Sequence, residues 1–159
     1  MTDESEIQVR PAVEGDLDGL IASNAGLFAE DAGLRDPLMN GDWPRMNGAT
    51  WYRAHLDNPE RLVLVVDVAG TVVGHLLGAV AGPSSMLVAT KAELVSMHVM
   101  PQWRGRRLGS QMFELFSAWA REKGATQMRV TAYSANEGAV RFYQRHGFTP
   151  FETTLAADL

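Results

Sequence analysis

The stretch Val99-Met-Pro-Gln-Trp-Arg-Gly-Arg-Arg-Leu-Gly-Ser110 joins an apolar run to a helical pattern through a basic, glycine-bearing turn. Before it, Ala92–Met100 has strand texture and stops at Pro101. After it, Leu108, Met112, Leu115, Phe116 and Trp119 fall at helical spacing. They predict a helix that starts near Gly105, runs to about Lys123 and stops at Gly124. A helix N-terminus offers unpaired amides and about half a positive charge. Glycine lets a ligand approach the backbone closely. Arg104, Arg106 and Arg107 add full charges. Together these features suit a phosphate or pyrophosphate; the alternative is a solvated basic turn at a tight bend. A nucleoside-triphosphate loop would need a glycine followed by Lys, which is missing. A dinucleotide fingerprint would need G-x-G-x-x-G early in the chain, whereas Gly105 and Gly109 come late.

Outward from this turn, the elements alternate. Ile7–Pro11 reads as a first strand, and Leu17, Leu20, Ile21, Asn24, Leu27 and Phe28 place an amphipathic helix over about Asp16–Ala29. The pattern fails from Glu30 to Gly48, where Gly33, Pro37, Gly41, Pro44 and Gly48 predict an irregular segment. A short helix around Trp51 and His55 ends before Pro59. Arg61–Val68 and Thr71–Ala81 are β-rich runs joined across Ala69-Gly70, a hairpin signal. Gln127–Ala132 reads as another strand, Asn136–His146 as a helix capped by Gly147, and Phe148 to the C-terminus as one or two last strands. The order β-α-α-β-β-β-α-β-α-β predicts an α/β fold: a mostly antiparallel mixed sheet with helices on both faces.

The chain has 159 residues, of which 46% are apolar and 21% charged. That size and balance predict one domain over residues 1–159, with 1–6 as a flexible tail. The acidic start has no apolar run behind it, so neither a leader nor a span is expected and a cytoplasmic protein is. There is no Cys, and the four histidines show no ligand spacing, so no metal site is expected. The net charge of −5 speaks against general nucleic-acid binding. It is unevenly divided: residues 1–60 hold 12 acids and 4 bases, a net −8, and residues 61–159 hold 7 acids and 10 bases, a net +3.

Arg104-Gly-Arg-Arg107-Leu-Gly109 resembles the cofactor motif Q/R-x-x-G-x-G/A of the GNAT superfamily of acetyl-coenzyme-A-dependent N-acetyltransferases, with Arg107 where the middle glycine is usual. Asn136-Glu-Gly-Ala139-Val-Arg-Phe142-Tyr143-Gln-Arg-His-Gly147-Phe148 resembles that family's second motif, N-x-x-A-x-x-F-Y-x-x-x-G-F, with every fixed position filled. Ala92–Val99 is similar to the strand before the cofactor loop, and Ile7–Pro11 followed by Gly15-Asp-Leu to the family's opening. The similarity runs from about residue 7 to the C-terminus.

The resemblance implies the acyl-coenzyme-A N-acyltransferase fold, with a fourth and a fifth strand that splay apart. It implies an enzyme that binds acetyl-coenzyme A and lets an amine attack the thioester directly while both are held side by side. The backbone of Met97, His98 and Val99 would pair with the pantetheine arm, and an amide there would meet the thioester oxygen. Arg104, Gly105, Arg106, Arg107, Leu108, Gly109 and Ser110 would hold the pyrophosphate, with Phe142 beside the cofactor and Asn136 hydrogen-bonded to the pantetheine, capping its helix, or both. Tyr143 fills the family's general-acid position and carries a donor O–H. Glu93 is where many members place an acid, and is expected to act as general base, directly or through a water. The alternatives are packing for Tyr143 and an edge ion pair for Glu93.

Asp31, Trp43 and Trp51 lie in the region that covers the acceptor in this family, and acid with aromatic groups suits a cationic amine. A small polyamine-like, aminoglycoside-like or amino-acid amine is expected, with no nucleic acid and no membrane as partner and a homodimer compatible with the chain. The rivals are a protein or peptide N-acetyltransferase, a catalytically silent acyl-coenzyme-A-binding module of the same fold, and another nucleotide-binding α/β enzyme.

Overall fold

The computed structural model describes residues 6–159. The expected tail therefore lies, except for Glu6, outside the described residues. Five strands form one sheet: β1 (Ile7–Pro11), β2 (Arg61–Val68), β3 (Thr71–Ala81), β4 (Thr90–Val99) and β5 (Ala125–Val130), in the order β1-β2-β3-β4-β5. Neighbours are antiparallel except β4 and β5, which run parallel because a helical crossover joins them. The β2–β3 hairpin turns as its sequence predicts. Ala69 and Gly70 both take positive φ, 49° and 87°, which matches the twist of the flanking strands.

Helices cover both faces. Helices α1 (Leu17–Glu30) and α3 (Trp43–Leu56) lie on one side, with the single turn α2 (Ala32–Arg35) between them; α4 (Leu108–Glu122) lies on the other. Helix α5 (Glu137–Arg145) follows β5. On the α4 side, Val73, Leu76, Val80, Ala92 and Leu94 of the sheet meet Leu108, Met112, Phe113, Phe116 and Ala120 of the helix, all of them buried. On the other side, Leu17, Leu20, Tyr52, Val63, Val65, Val72 and Leu77 make a smaller apolar cluster. Arg10 fastens that side at its edge, donating to Asp16 at 2.7 and 2.9 Å and to Asp67 at 2.9 and 3.2 Å. Arg10 first, then the Val13 amide, holds the Asp16 carboxyl below its ordinary pKa against the opposing effect of burial.

Three expectations need correcting. The segment 30–48 is not irregular throughout: α2 lies within it and α3 begins at Trp43, with Pro44 in its first turn, where a missing N–H costs nothing. Helix α4 begins at Leu108 rather than Gly105, because Gly105 and Arg107 are both left-handed, at φ 76° and 61°. Residues 149–159 form no strand and lie exposed. Pro150 lacks a ladder donor, and the Arg129 guanidinium lies over the Phe151 ring at 4.5 Å.

Candidate active site

The parallel pairing of β4 with β5 runs only from Thr90 to Leu94. Beyond Leu94 the two strands part, and β4 continues to Val99 paired with β3 alone. The fork opens beside a bulge: Leu77 faces Ser96 and Gly78 faces Leu94, so Val95 has no partner. A cleft of about 110 Å³ fills the fork. Val95, Ser96 and Met97 line one side, Val130, Thr131, Asn136 and Tyr143 the other, with Leu27 and Asp31 of the α1 end also in the lining. A larger hollow of about 210 Å³, lined by Ser117, Arg121 and Thr126 among others, lies between α4 and β5 and contains none of the expected site residues.

The turn before α4 has the chemistry its sequence suggests. The N–H of Gln111 is the first to bond back into the helix, to the Arg107 carbonyl at 3.0 Å. The amides of Leu108, Gly109 and Ser110 therefore have no partner within the helix. Arg107 takes the left-handed conformation that the usual glycine would adopt without strain. The three arginines differ in what they touch. Arg104 donates to the Val99 carbonyl at 2.8 Å and pairs with Glu30, Arg106 stacks over Trp103 at 4.7 Å, and Arg107 is exposed.

Asn136 caps α5, accepting the Ala139 amide at 3.1 Å, and its amide nitrogen donates to Asp31 at 3.1 Å. Asp31 also receives Arg35 at 2.7 Å. Tyr143 lines the cleft with its hydroxyl pushed up to about 12, first by burial and then by the negative charge of Asp31. It is a neutral phenol at any physiological pH. Phe142 is outside the cleft lining, packed near Gly109 and His146, so it links α5 to the first turn of α4. His146 in turn contacts the Ser110 hydroxyl at 3.2 Å.

Several expected residues stand elsewhere. Met97 lines the cleft and the His98 and Val99 backbone continues the β4 edge that β5 leaves unpaired, while the His98 side chain turns into the α1 layer. Glu93 is exposed on the paired part of β4, opposite Ala79 and outside the lining. Trp43 and Trp51 pack on one another at 5.5 Å, with Phe28 stacked on Trp43, away from the lining. Sequence reasoning missed Val95 and Ser96, which only the bulge brings to the fork. It also missed Ser23 and His75, and gave His98 a backbone role only, whereas the three side chains form one buried set; the one available signal was a histidine within each of two apolar strands. Among the described residues, no cluster is fit for a metal ion and no helix is long and apolar enough to cross a membrane.

A sequence profile described as the acetyltransferase (GNAT) family matches residues 33–148. A Bacillus subtilis (strain 168) protein, provisionally named ribosomal-protein-bS18-alanine N-acetyltransferase, is 24% identical over 101 residues, covering 64% of this chain and 62% of that protein. The mycothiol acetyltransferase of Propionibacterium freudenreichii subsp. shermanii is 28% identical over 142 residues, covering 89% of this chain and 43% of that protein. The chain thus spans less than two thirds of the length of either relative. Among solved structures, the aminoglycoside N-acetyltransferase AAC(6')-Iy in complex with CoA superposes with a TM-score of 0.72 at 15% identity, covering 96% of this chain and 94% of that one.

Proposed function

The chain belongs to the acetyltransferase (GNAT) family, and on that premise we propose that it moves an acetyl group from acetyl-coenzyme A to the primary amine of a small cationic molecule, by direct attack within one ternary complex. The observation that carries this reading is the fork: an unpaired length of β4 edge, a cleft beside it, and Tyr143 in that cleft. Bound acetyl-coenzyme A supplies the activated thioester. An extended pantetheine arm fits the edge from Val95 to Val99, where the backbone groups that face away from β3 lack a strand partner. The Leu108, Gly109 and Ser110 amides, with Arg106 and Arg107 nearby, suit a pyrophosphate. Asn136, on the opposite wall of the cleft, would hold the arm. Tyr143 holds its proton until a sulfur leaves and then donates it. Glu93, on the solvent side of β4, would reach an amine only through water.

Asp31 in the cleft lining, close to Tyr143, supports a cationic acceptor, as does the aminoglycoside-acetylating neighbour of the same fold. The ribosomal-protein relative favours one second reading, an N-terminal peptide amine. The test is thiol release from acetyl-coenzyme A with polyamines, aminoglycosides, amino-acid amines and an alanyl peptide. Release with the cationic small amines is expected, and Tyr143→Phe should slow it about a hundredfold. A preference for neutral or acidic amines would sink the cationic reading, and preference for the peptide would install the second. Protection from heat by acetyl-coenzyme A with no release from any amine would leave a silent binding module. Protection by a nucleoside triphosphate instead would point to another enzyme class.

A further inference from the structure

We propose that Ser96, His75, Ser23, His98 and Glu30 form a proton relay that carries the acceptor's ammonium proton from the cleft to solvent; the proposal rests on the acetyl-transfer reading above. The links are contiguous. Ser96 Oγ lies 3.1 Å from His75 Nε2, and His75 Nδ1 lies 2.7 Å from Ser23 Oγ. Ser23 Oγ lies 3.3 Å from His98 Nδ1, and His98 Nε2 lies 3.5 Å from Glu30 Oε1. Each imidazole is engaged through both nitrogens, one toward the cleft and one toward Glu30. That is the arrangement a neutral imidazole needs to accept a proton at one atom while releasing another. Arg104 Nη2 also lies 3.4 Å from His98 Nε2 and can only donate, so the relay starts from the tautomer in which that nitrogen turns its proton to Glu30 instead.

The two ends open where a relay must open. Ser96 lines the cleft on the bulge side. Glu30, at the last residue of α1, is exposed and paired with Arg104. Between them Ser23, His75 and His98 are buried, beside the apolar cluster of the α1 side. Burying two imidazoles is expensive unless every polar atom is bonded. The Tyr52 hydroxyl, also buried, stands near Ser96 with no hydrogen-bond partner of ordinary geometry among the described residues. The backbone is shaped for the contact: a Cβ on Gly26 of α1 would meet His98 Cε1 at 2.9 Å, so glycine lets the helix lie against the ring.

The proton balance closes. The ammonium proton passes to Ser96 Oγ as the Ser96 proton passes to His75 Nε2. The His75 Nδ1 proton passes to Ser23, the Ser23 proton to His98 Nδ1, and the His98 Nε2 proton to the Glu30 carboxylate, which releases it to water. One proton enters, one leaves, and each ring changes tautomer without resting as an imidazolium. Burial, which holds His75 down near 3, makes such a resting charge unfavourable and favours a concerted passage. The amine's second proton leaves to cleft water as the amide forms. A solvent proton returned along the same links and through cleft water to Tyr143, a phenolate after its own donation, restores both tautomers, and one proton is released per turnover.

The test is the proton inventory of turnover in H₂O–D₂O mixtures, with ¹⁵N spectra of the imidazoles in the cofactor-free protein. The native protein should show two neutral rings and a bowl-shaped inventory, reporting several protons in motion. Ser23→Ala should lower kcat at least tenfold, straighten the inventory and leave KM for acetyl-coenzyme A within twofold. Glu30→Gln, at the surface and safe for folding, should lose kcat alike and regain it with added formate. Native kcat and an unchanged inventory in both variants would overturn the relay. So would a Glu30→Gln defect confined to KM, which would reduce Glu30 to a support for Arg104. Loss of kcat in Glu93→Gln with full rate in Ser23→Ala would give the base role to Glu93. A charged His75 in the ¹⁵N spectrum would also refute it. No turnover by the native protein would overturn the transferase reading and the relay together, whereas turnover with insensitive variants removes only the relay.

Discussion

The two faces of the sheet are built to opposite rules from the same strands. On β3 and β4 the α4 side presents Leu76, Val80, Ala92 and Leu94, and among the buried residues of α4 only Ser117 is polar. The α1 side of the same strands presents His75 beside His98, opposite each other in register, with Ser23 between them. One face supplies cohesion by excluding water from a large apolar area. The other gives up some of that cohesion for a bonded polar chain that reaches the fork. Cohesion and the bonded polar chain therefore lie on different faces, although Met97 and Tyr143 of the cleft pack against the apolar one, and substitutions can test how far stability and chemistry separate.

The largest expected effect is on the dry face. Phe116→Ala should cost about 3–5 kcal/mol by denaturant unfolding, while kcat per folded molecule stays native; a matching fall in kcat would show that the faces are coupled. On the polar face, Asp16→Asn should cost about 2 kcal/mol at neutral pH, because it removes a charge-assisted acceptor from Arg10 and the Val13 amide. The native carboxyl titrates below its ordinary value. Its contribution is present above about pH 4, the unfolded value, and is lost as pH falls through the lower folded value. The variant should lack that acid-range loss.

His75 gives a slope at milder pH. Burial, with a smaller effect from His98, holds its folded pKa near 3, so the unfolded chain binds the extra proton below about 6.5. Stability should be full above about pH 6.5 and fall by about 2 kcal/mol by pH 5. His75→Gln should flatten that slope, and an unchanged slope would assign it to another group. The smallest effect belongs to Gly26→Ala. Better helix propensity offsets part of the clash with His98, so a net loss of about 1 kcal/mol is expected, with a larger proportional fall in kcat than in stability.

What the chain disclosed in advance was whatever is local. The β2–β3 hairpin has its expected limits because two residues decide its turn. The α5 cap is readable because Asn136 bonds an amide three residues on. Position 107 was visible as a motif departure, and its left-handed backbone explains why glycine is usual there. The start of α3 was obscured because Pro44 punctuates a loop and a first helical turn alike. The relay was beyond reach, since its links join residues 52 and 75 positions apart and depend on how closely α1 lies on the sheet. The C-terminal strands failed for a related reason: strand texture says nothing about whether an edge accepts a partner.

The unpaired length of β4 makes this fold a gauge of supply. A sheet that leaves one strand edge for a guest is completed only while the guest is present. If acetyl-coenzyme A is that guest, the native state gains about 2.7 kcal/mol when its concentration is a hundred times the dissociation constant. The amides from Val95 to Val99 would then exchange with solvent more slowly when acetyl groups are plentiful. The protein's own lifetime would rise and fall with the metabolic pool on which it draws.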